Sequence, residues 1–305
     1  MDPNLSLQIS DAMRGYSIET TPAGAAKIDA FANHVPAGTT VNVTYLAGAD
    51  PADTLTVCRR LADEGMTPVP HVAARNIASA DQLDSYLGAL AGDAGVREAL
   101  VIAGGRDRPA GPFDASMALL ETGLFEKHGI RRIAVAGHPE GSPDIDAAGL
   151  AAALAAKNAW AATRDVEMYL ETQFCFEAAP VLTWERQIRA AGNRLPIKIG
   201  LPGPATLKTL VKYAQMSGVG PSLRVLTRQT RHITKLLTVQ APDRLVAGLA
   251  AAITGAPECR LAGFHLYPFG GFAKTAAWAN AVVDGAFDQD EAGGFKLRAP
   301  LRDAS

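Results

Sequence analysis

Along the 305-residue chain, short apolar runs alternate with longer Ala- and Leu-rich segments. The short runs, rich in β-branched residues and closed by turn residues, fall near 15–20, 41–46, 67–72, 99–104, 131–137, 169–175, 196–201 and 261–267, and read as strands. The longer segments, often opened by Pro, Ser or Asp, cover 22–34, 51–64, 79–92, 113–128, 146–163, 178–191, 204–217 and 222–254, and read as helices. Strand and helix alternate throughout, and no Pro/Ser-rich linker interrupts them. This pattern predicts an α/β chain forming a single (β/α)8 TIM barrel rather than two doubly wound domains. Its core spans about 15–285, with an additional C-terminal helix near 274–285, a flexible N-terminal arm and a frayed C-terminal tail after Gly285.

Several strand runs stop on polar residues: Glu19-Thr20, Thr44-Tyr45, His71, Gln173 and His265-Leu266-Tyr267. A parallel barrel gathers such ends on one rim, where the active sites of these barrels are built. Glu19 can serve as a general acid if an apolar surround raises its pKa, or it can form an ion pair or cap the next helix. Thr44 can hydrogen-bond a ligand, although threonine is also a good strand residue. His71 faces either a cavity or the core. Gly104-Gly105-Arg106-Asp107 lacks the GxGxxG spacing. It is either a surface turn or a place where backbone approaches a flat ring and Asp107 accepts from ring nitrogens. Gln173 offers both donors and an acceptor, as reading a heterocycle's edge requires.

Composition narrows the partners. Lysine plus arginine (29) nearly balance aspartate plus glutamate (31), so no global attraction to nucleic acid or an anionic membrane is expected. Three cysteines without a CxxC pair argue against a disulfide framework or a zinc cluster, and the histidines show no HExxH spacing, so no metal site is expected. A reducing cytoplasm fits this usage, and no run approaches a membrane span. Arg224, Arg228, Arg231 and Lys235 are spaced along one helical face, which is either solvated or docks an anionic ligand tail.

Taken in order, these segments resemble the methylenetetrahydrofolate reductase family. Ser17-Ile18-Glu19-Thr20-Thr21-Pro22 is similar to its first-strand motif, and Val43-Thr44-Tyr45 and Pro70-His71-Val72 to the second and third strand ends. Arg106-Asp107, Ala136-Gly137-His138-Pro139-Glu140, Thr172-Gln173-Phe174 and His265-Leu266-Tyr267 follow in the family's order over roughly 15–285. The resemblance implies NADH- or NADPH-dependent interconversion of 5,10-methylenetetrahydrofolate and 5-methyltetrahydrofolate, usually through FAD. It implies Glu19 as the catalytic acid, Asp107, Gln173, Thr44 and Tyr267 as folate-binding, and Thr44, His71, Arg106, His138 and Asn158 as cofactor-binding. The family is commonly homo-oligomeric.

The departures concern flavin. Where the family carries a basic pair for the flavin phosphates, this chain has Ala161-Ala162, and Gly105 stands where an arginine is expected. His138 and Ser142 occupy positions where flavin-binding members commonly have tyrosine and histidine. Each lost charge-assisted hydrogen bond is worth roughly 1.5–3 kcal/mol, so FAD is expected to bind weakly or not at all, with hydride passing directly from nicotinamide to folate. Two other outcomes stay open: a folate-dependent methyltransferase barrel serving a corrinoid partner, and a non-catalytic folate-binding protein.

Overall fold

A computed structural model describes residues 3–45, 48–216 and 238–301. Eight parallel strands close into a barrel. They are β1 (Ser17–Thr20), β2 (Thr40–Val43), β3 (Thr67–Ala73), β4 (Glu98–Ile102), β5 (Arg132–Gly137), β6 (Glu167–Phe174), β7 (Ile197–Pro202) and β8 (Leu261–Tyr267). Around the barrel they follow chain order, with β8 closing onto β1. All eight overlap the runs expected from the sequence. The chain divides into two compact units: Ser17–Ala136 with Ala156–Leu170, and Met1–Tyr16 with Gly137–Ala155 and Glu171–Ser305.

The first unit holds β1 to β5 and the start of β6. Its ladder sets Glu19 opposite Asn42, Asn42 opposite Val69, and His71 opposite Leu100. Register partners on parallel strands share a face, and residues two apart on one strand do the same. Val69, Leu100, Ala134 and Tyr169 come from four successive strands and pack together, so theirs is the concave inner face. Below them Tyr169 Oη donates to Glu98 Oε1 at 2.7 Å, and Arg132 lies 3.5 Å from Glu98 and over the Tyr169 ring. A buried carboxylate is thus matched by two donors.

The helices Pro51–Asp63 and Ala80–Asp93 form where their periodicity places them. Asp50 and Ser79 cap them by accepting from the backbone N–H of Ala52 and Gln82. Their inward stripes bury Val57, Cys58 and Leu61 in one and Leu83, Tyr86, Leu87 and Leu90 in the other.

The helix expected over 22–34 is absent: only Pro22–Ala25 is α-helical, followed by a 3₁₀ turn at Phe31–Asn33. Two side chains of the neighbouring helix region explain this. The Arg60 guanidinium donates to the carbonyls of Ala25, Ile28 and Asp29, and the Glu64 carboxylate accepts from the N–H groups of Phe31 and Ala32. Backbone groups that a helix would pair internally are satisfied from outside. The segment 113–128 similarly forms two short helices, Ser116–Leu120 and Leu124–Lys127, separated at Gly123, whose φ is +71°.

The second unit holds the end of β6 with β7 and β8. In place of an N-terminal arm, Pro3–Met13 is a helix that buries Ile9, Ala12 and Met13. It packs on the helices Asp243–Gly255 and Phe272–Val283, and Ser10 Oγ donates to the Val282 carbonyl at 2.8 Å. The segment after Gly285 forms an antiparallel ribbon, Phe287–Gln289 with Phe295–Leu297, whose two phenylalanines are buried. The helix expected over 204–217 starts at Leu207, because Ala205–Thr206 pairs antiparallel with Val239–Gln240. Of the expected helix 222–254, Asp243–Gly255 is helical. The basic cluster Arg224 to Lys235 lies outside the described residues.

Candidate functional site

In the first unit the inner face carries Glu19 and His71. Glu19 Oε2 lies 3.5 Å from His71 Nε2, with the two side chains 16% and 7% exposed. Strand β2 runs between their strands, so both side chains reach inward over it to meet. Asn42, fully buried on β2, is the register partner of Glu19. Thr44, just past β2, sends its hydroxyl to the Thr20 carbonyl at 3.2 Å, and its N–H donates to the same oxygen at 2.9 Å. The Thr44 side chain therefore ties the end of β2 to the end of β1.

The loop after β4 is held by Arg75, which donates to the carbonyls of Asp114 and Arg106 at 3.0 and 3.1 Å. Gly104 has φ +91°, and a Cβ there would stand 3.0 Å from the Ala73 side chain, so this turn requires glycine. Arg106 and Asp107 are exposed on the loop, and Asp107 makes no side-chain hydrogen bond or ion pair among the described residues. Burial and the charge of Asp50 push the Tyr45 hydroxyl pKa up, and Arg106 opposes them.

Asn158 is half-buried on the helix Ala147–Ala162, beside Lys157. Lys157 is buried, with Nζ 3.4 Å from the Ala136 carbonyl at the end of β5, and burial holds its pKa below the usual lysine range. Ala161 is half-buried and Ala162 exposed on the last turn of this helix.

In the second unit, the residues around Gln173 form one hydrogen-bonded shell. Thr172 Oγ1 donates to the Gln173 carbonyl at 2.8 Å and accepts from Gly200 N–H at 2.9 Å. Tyr267 Oη donates to the Thr172 carbonyl at 2.9 Å. A Cβ on Gly200 would come within 2.6 Å of the Thr172 carbonyl and 2.7 Å of the Gln173 carbonyl and the Tyr267 ring. The tyrosine therefore depends on that glycine.

His265, fully buried, stands edge-on to Tyr267 at 4.8 Å, with Nδ1 3.5 Å from Glu171 Oε2. Tyr267 also joins a cluster with Phe174, Phe176, Tyr213 and Phe269, in which Tyr213 and Phe269 stack at 4.1 Å. His138 is half-buried in the loop after β5, as is Glu140, whose charge adds to burial in pushing the Cys175 pKa up.

Glu19 is thus brought to His71, Thr44 to the end of β1, and Tyr267 to the peptide preceding Gln173. Asp107 and Arg106 stand apart on an exposed loop. Asn42, Lys157 and Glu171 escaped the sequence reading. Asn42 and Glu171 sit in inward register beside residues that were singled out, and Lys157 interrupts an apolar stripe formed with Leu150, Leu154 and Trp160. Among the described residues no group of three or more His, Cys, Asp or Glu is arranged to hold a metal ion. No described helix is long and apolar enough to cross a membrane.

No family model matches the chain. Among solved structures it is similar to an uncharacterized protein from Clostridium thermocellum that binds two copies of 5-methyl-5,6,7,8-tetrahydrofolic acid. Identity is 10%, over 92% of this chain and 97% of that one, with a TM-score of 0.53. A xylose isomerase domain protein from Planctomyces limnophilus also matches, at 12% identity, 89% and 95% coverage and a TM-score of 0.32. At 10% identity the likeness to the Clostridium thermocellum protein concerns the fold alone.

Proposed function

We propose that the protein interconverts 5,10-methylenetetrahydrofolate and 5-methyltetrahydrofolate, with NADH or NADPH as the hydride partner and FAD bound weakly or not at all. The observation that carries this reading is the Glu19–His71 pair, a largely buried carboxyl within 3.5 Å of an imidazole nitrogen at the ends of β1 and β3. A carboxyl so placed can hold a proton away from bulk water and release it to a bound base. Support of a coarser kind comes from the Clostridium thermocellum protein, which shares the fold and binds 5-methyltetrahydrofolic acid.

In the reducing direction the Glu19 carboxyl protonates N10 of the folate. The bond from N10 to the methylene carbon breaks, leaving a 5-iminium cation. Hydride from the dihydronicotinamide adds to the methylene carbon and gives the 5-methyl product, with Glu19 left as carboxylate and the nicotinamide oxidised. His71 holds the carboxyl and, when protonated, balances the carboxylate left behind. Asp107, Gln173, Thr44 and Tyr267 are assigned to folate. Thr44, His71, Arg106, His138 and Asn158 are assigned to the cofactor.

The side chains at 161 and 162 do not fit a flavin diphosphate. Both are methyl groups on the last helical turn, and neither can donate a hydrogen bond. No step is therefore routed through flavin.

The test is an anaerobic assay of the purified protein with methylenetetrahydrofolate and each nicotinamide, with and without added FAD, repeated with Glu19→Gln. Nicotinamide oxidation that needs no FAD and is lost in the variant is the expected result. A tightly bound, stoichiometric flavin in the visible spectrum would refute the flavin-poor reading. The Clostridium thermocellum protein's ligand is also the donor form for methyl transfer, which favours a second reading: passage of the methyl group to a corrinoid partner. In that case Glu19→Gln leaves transfer intact and no nicotinamide is consumed.

A further inference from the structure

We infer that Asn42 is the positioning residue for the Glu19 carboxyl; this rests on the assignment of Glu19 as the acid. Strands β1 and β3 are separated by β2. At about 4.8 Å per neighbouring pair, their backbones lie roughly 10 Å apart, so Glu19 and His71 can meet only above the inner face of β2. Two residues of that strand and its extension point inward there, Asn42 and Thr44. The Thr44 hydroxyl is engaged with the Thr20 carbonyl. Asn42 remains directly beneath the pair.

Two further observations point from Asn42 to Glu19. Asn42 is fully buried, and a buried amide is costly unless a nearby polar group offsets its desolvation. Its register partners on either side are Glu19 and Val69, and of these only Glu19 has a polar side chain.

An amide suits an acid that must exist in two states. Its NH₂ group donates to the carboxylate, and its carbonyl accepts from the carboxylic acid. Aspartate at 42 would supply no donor to the charged form, and leucine would supply neither group. Held between Asn42 and His71, the Glu19 side chain keeps one rotamer through both protonation states, and its proton stays aimed at one point.

The prediction concerns kcat more than KM, because a carboxyl that wanders by about 1 Å loses roughly 100-fold in rate while the substrate-binding groups are untouched. Asn42→Leu and Asn42→Asp are compared with wild type and Glu19→Gln. The first readout is kcat and KM for methylenetetrahydrofolate: a fall in kcat of about 10- to 100-fold with KM within about 2-fold is expected. The second is the ¹⁵N resonance of His71 Nε2 in the ligand-free protein, which reports on Glu19 whether or not the protein is a reductase.

A shift of that resonance in Asn42→Leu toward its position in Glu19→Gln supports the inference. If wild type has no reductase activity but the resonance still shifts, Asn42 positions Glu19 and the reductase assignment falls alone. An unmoved His71 resonance in a folded variant overturns the inference, whatever happens to kcat. Asn42→Asp, nearly isosteric, supplies the same readouts should leucine prevent folding.

Discussion

Gly200→Ala tests the second unit most severely. Gly200 lies on β7 with ordinary strand geometry, so the substitution costs no backbone strain; its effect comes from the space beside it. The new methyl carbon would stand 2.6 Å from the Thr172 carbonyl oxygen, 2.7 Å from that of Gln173 and 2.7 Å from Tyr267 Cε2. Two of the three obstacles are backbone atoms of an adjacent strand and cannot turn aside. Overpacking of this kind costs about 1–3 kcal/mol in a well-packed core, and separation of β6 from β7 puts this site at the upper end. Displacing the Tyr267 ring also breaks its bond to the Thr172 carbonyl, worth about 1 kcal/mol. The expected total is about 3–4 kcal/mol, or a fall in Tm of roughly 5–6 °C for a chain of this size.

The assay is chemical denaturation of Gly200→Ala, Tyr267→Ala and the double variant. The tyrosine accounts for one of three close contacts, so the double variant should recover only part of the glycine effect. Full recovery would mean that the carbonyls of Thr172 and Gln173 are not the wall described. A single variant as stable as wild type would refute the close packing of β6, β7 and Tyr267 altogether.

Asp243 gives a pH signature. Burial, reinforced by the charge of Asp290 and opposed by the Trp278 Nε1 hydrogen bond, pushes its pKa up to about 6. A raised carboxyl pKa makes the folded state bind the proton more tightly than the unfolded one. Its contribution is therefore most favourable below pH ~4, is lost as pH rises to ~6, and stays lost above that. At about 1.4 kcal/mol per unit the penalty at neutral pH reaches at most about 3 kcal/mol, because the helix N-terminus favours the anion. Asp243→Asn, which can still accept from Trp278, should raise the denaturation midpoint at pH 7.5 and lose that advantage near pH 4; an equal effect at both values defeats the argument. Thr172→Val leaves the Gly200 N–H without its acceptor and should cost about 1–3 kcal/mol in the same assay, whereas a neutral result would place that bond elsewhere. Glu19→Gln should lower turnover by about 10²- to 10⁴-fold while leaving the thermal midpoint within about 2 °C; a large loss of stability would make Glu19 structural.

The alternation of strand and helix was legible because it is a local property: β-branched runs and Ala/Leu stripes carry their period in neighbouring residues. The failures arose where distant side chains decide. Nothing between 22 and 34 announces that Arg60 and Glu64 will satisfy its backbone, and nothing after Gly285 says that Phe287 and Phe295 will meet across a ribbon. The N-terminal residues were read as a flexible arm, yet Ile9 and Met13 lie one helical turn apart and bury one stripe. At the candidate site, Glu19, His71 and Gln173 were legible as polar ends of apolar runs. Asn42 was not, since an amide between two valines carries no signal until the register sets it beside a carboxyl.

The polar residues on the inner faces weigh on what these strands are for. If stability alone had shaped β1 to β3, apolar side chains of similar volume at 19, 42 and 71 would serve at least as well, because desolvating a carboxyl, an amide and an imidazole offsets most of what their mutual contacts supply. The same holds in the second unit for Glu171 and His265, 3.5 Å apart with almost no exposure. On the same face of β3 to β6, Val69, Leu100 and Ala134, in register with Asn42 and His71, show that these strands can pack apolar side chains tightly. Polarity therefore appears at chosen positions rather than throughout, and in β1 to β3 those positions lie toward the C-terminal ends, where barrel chemistry is done. Replacing Glu19, Asn42 and His71 together by leucines should accordingly leave the fold as stable or more stable while abolishing turnover. A marked loss of stability in that triple variant would show that the three are held there for folding and would remove the main support for an acid at position 19.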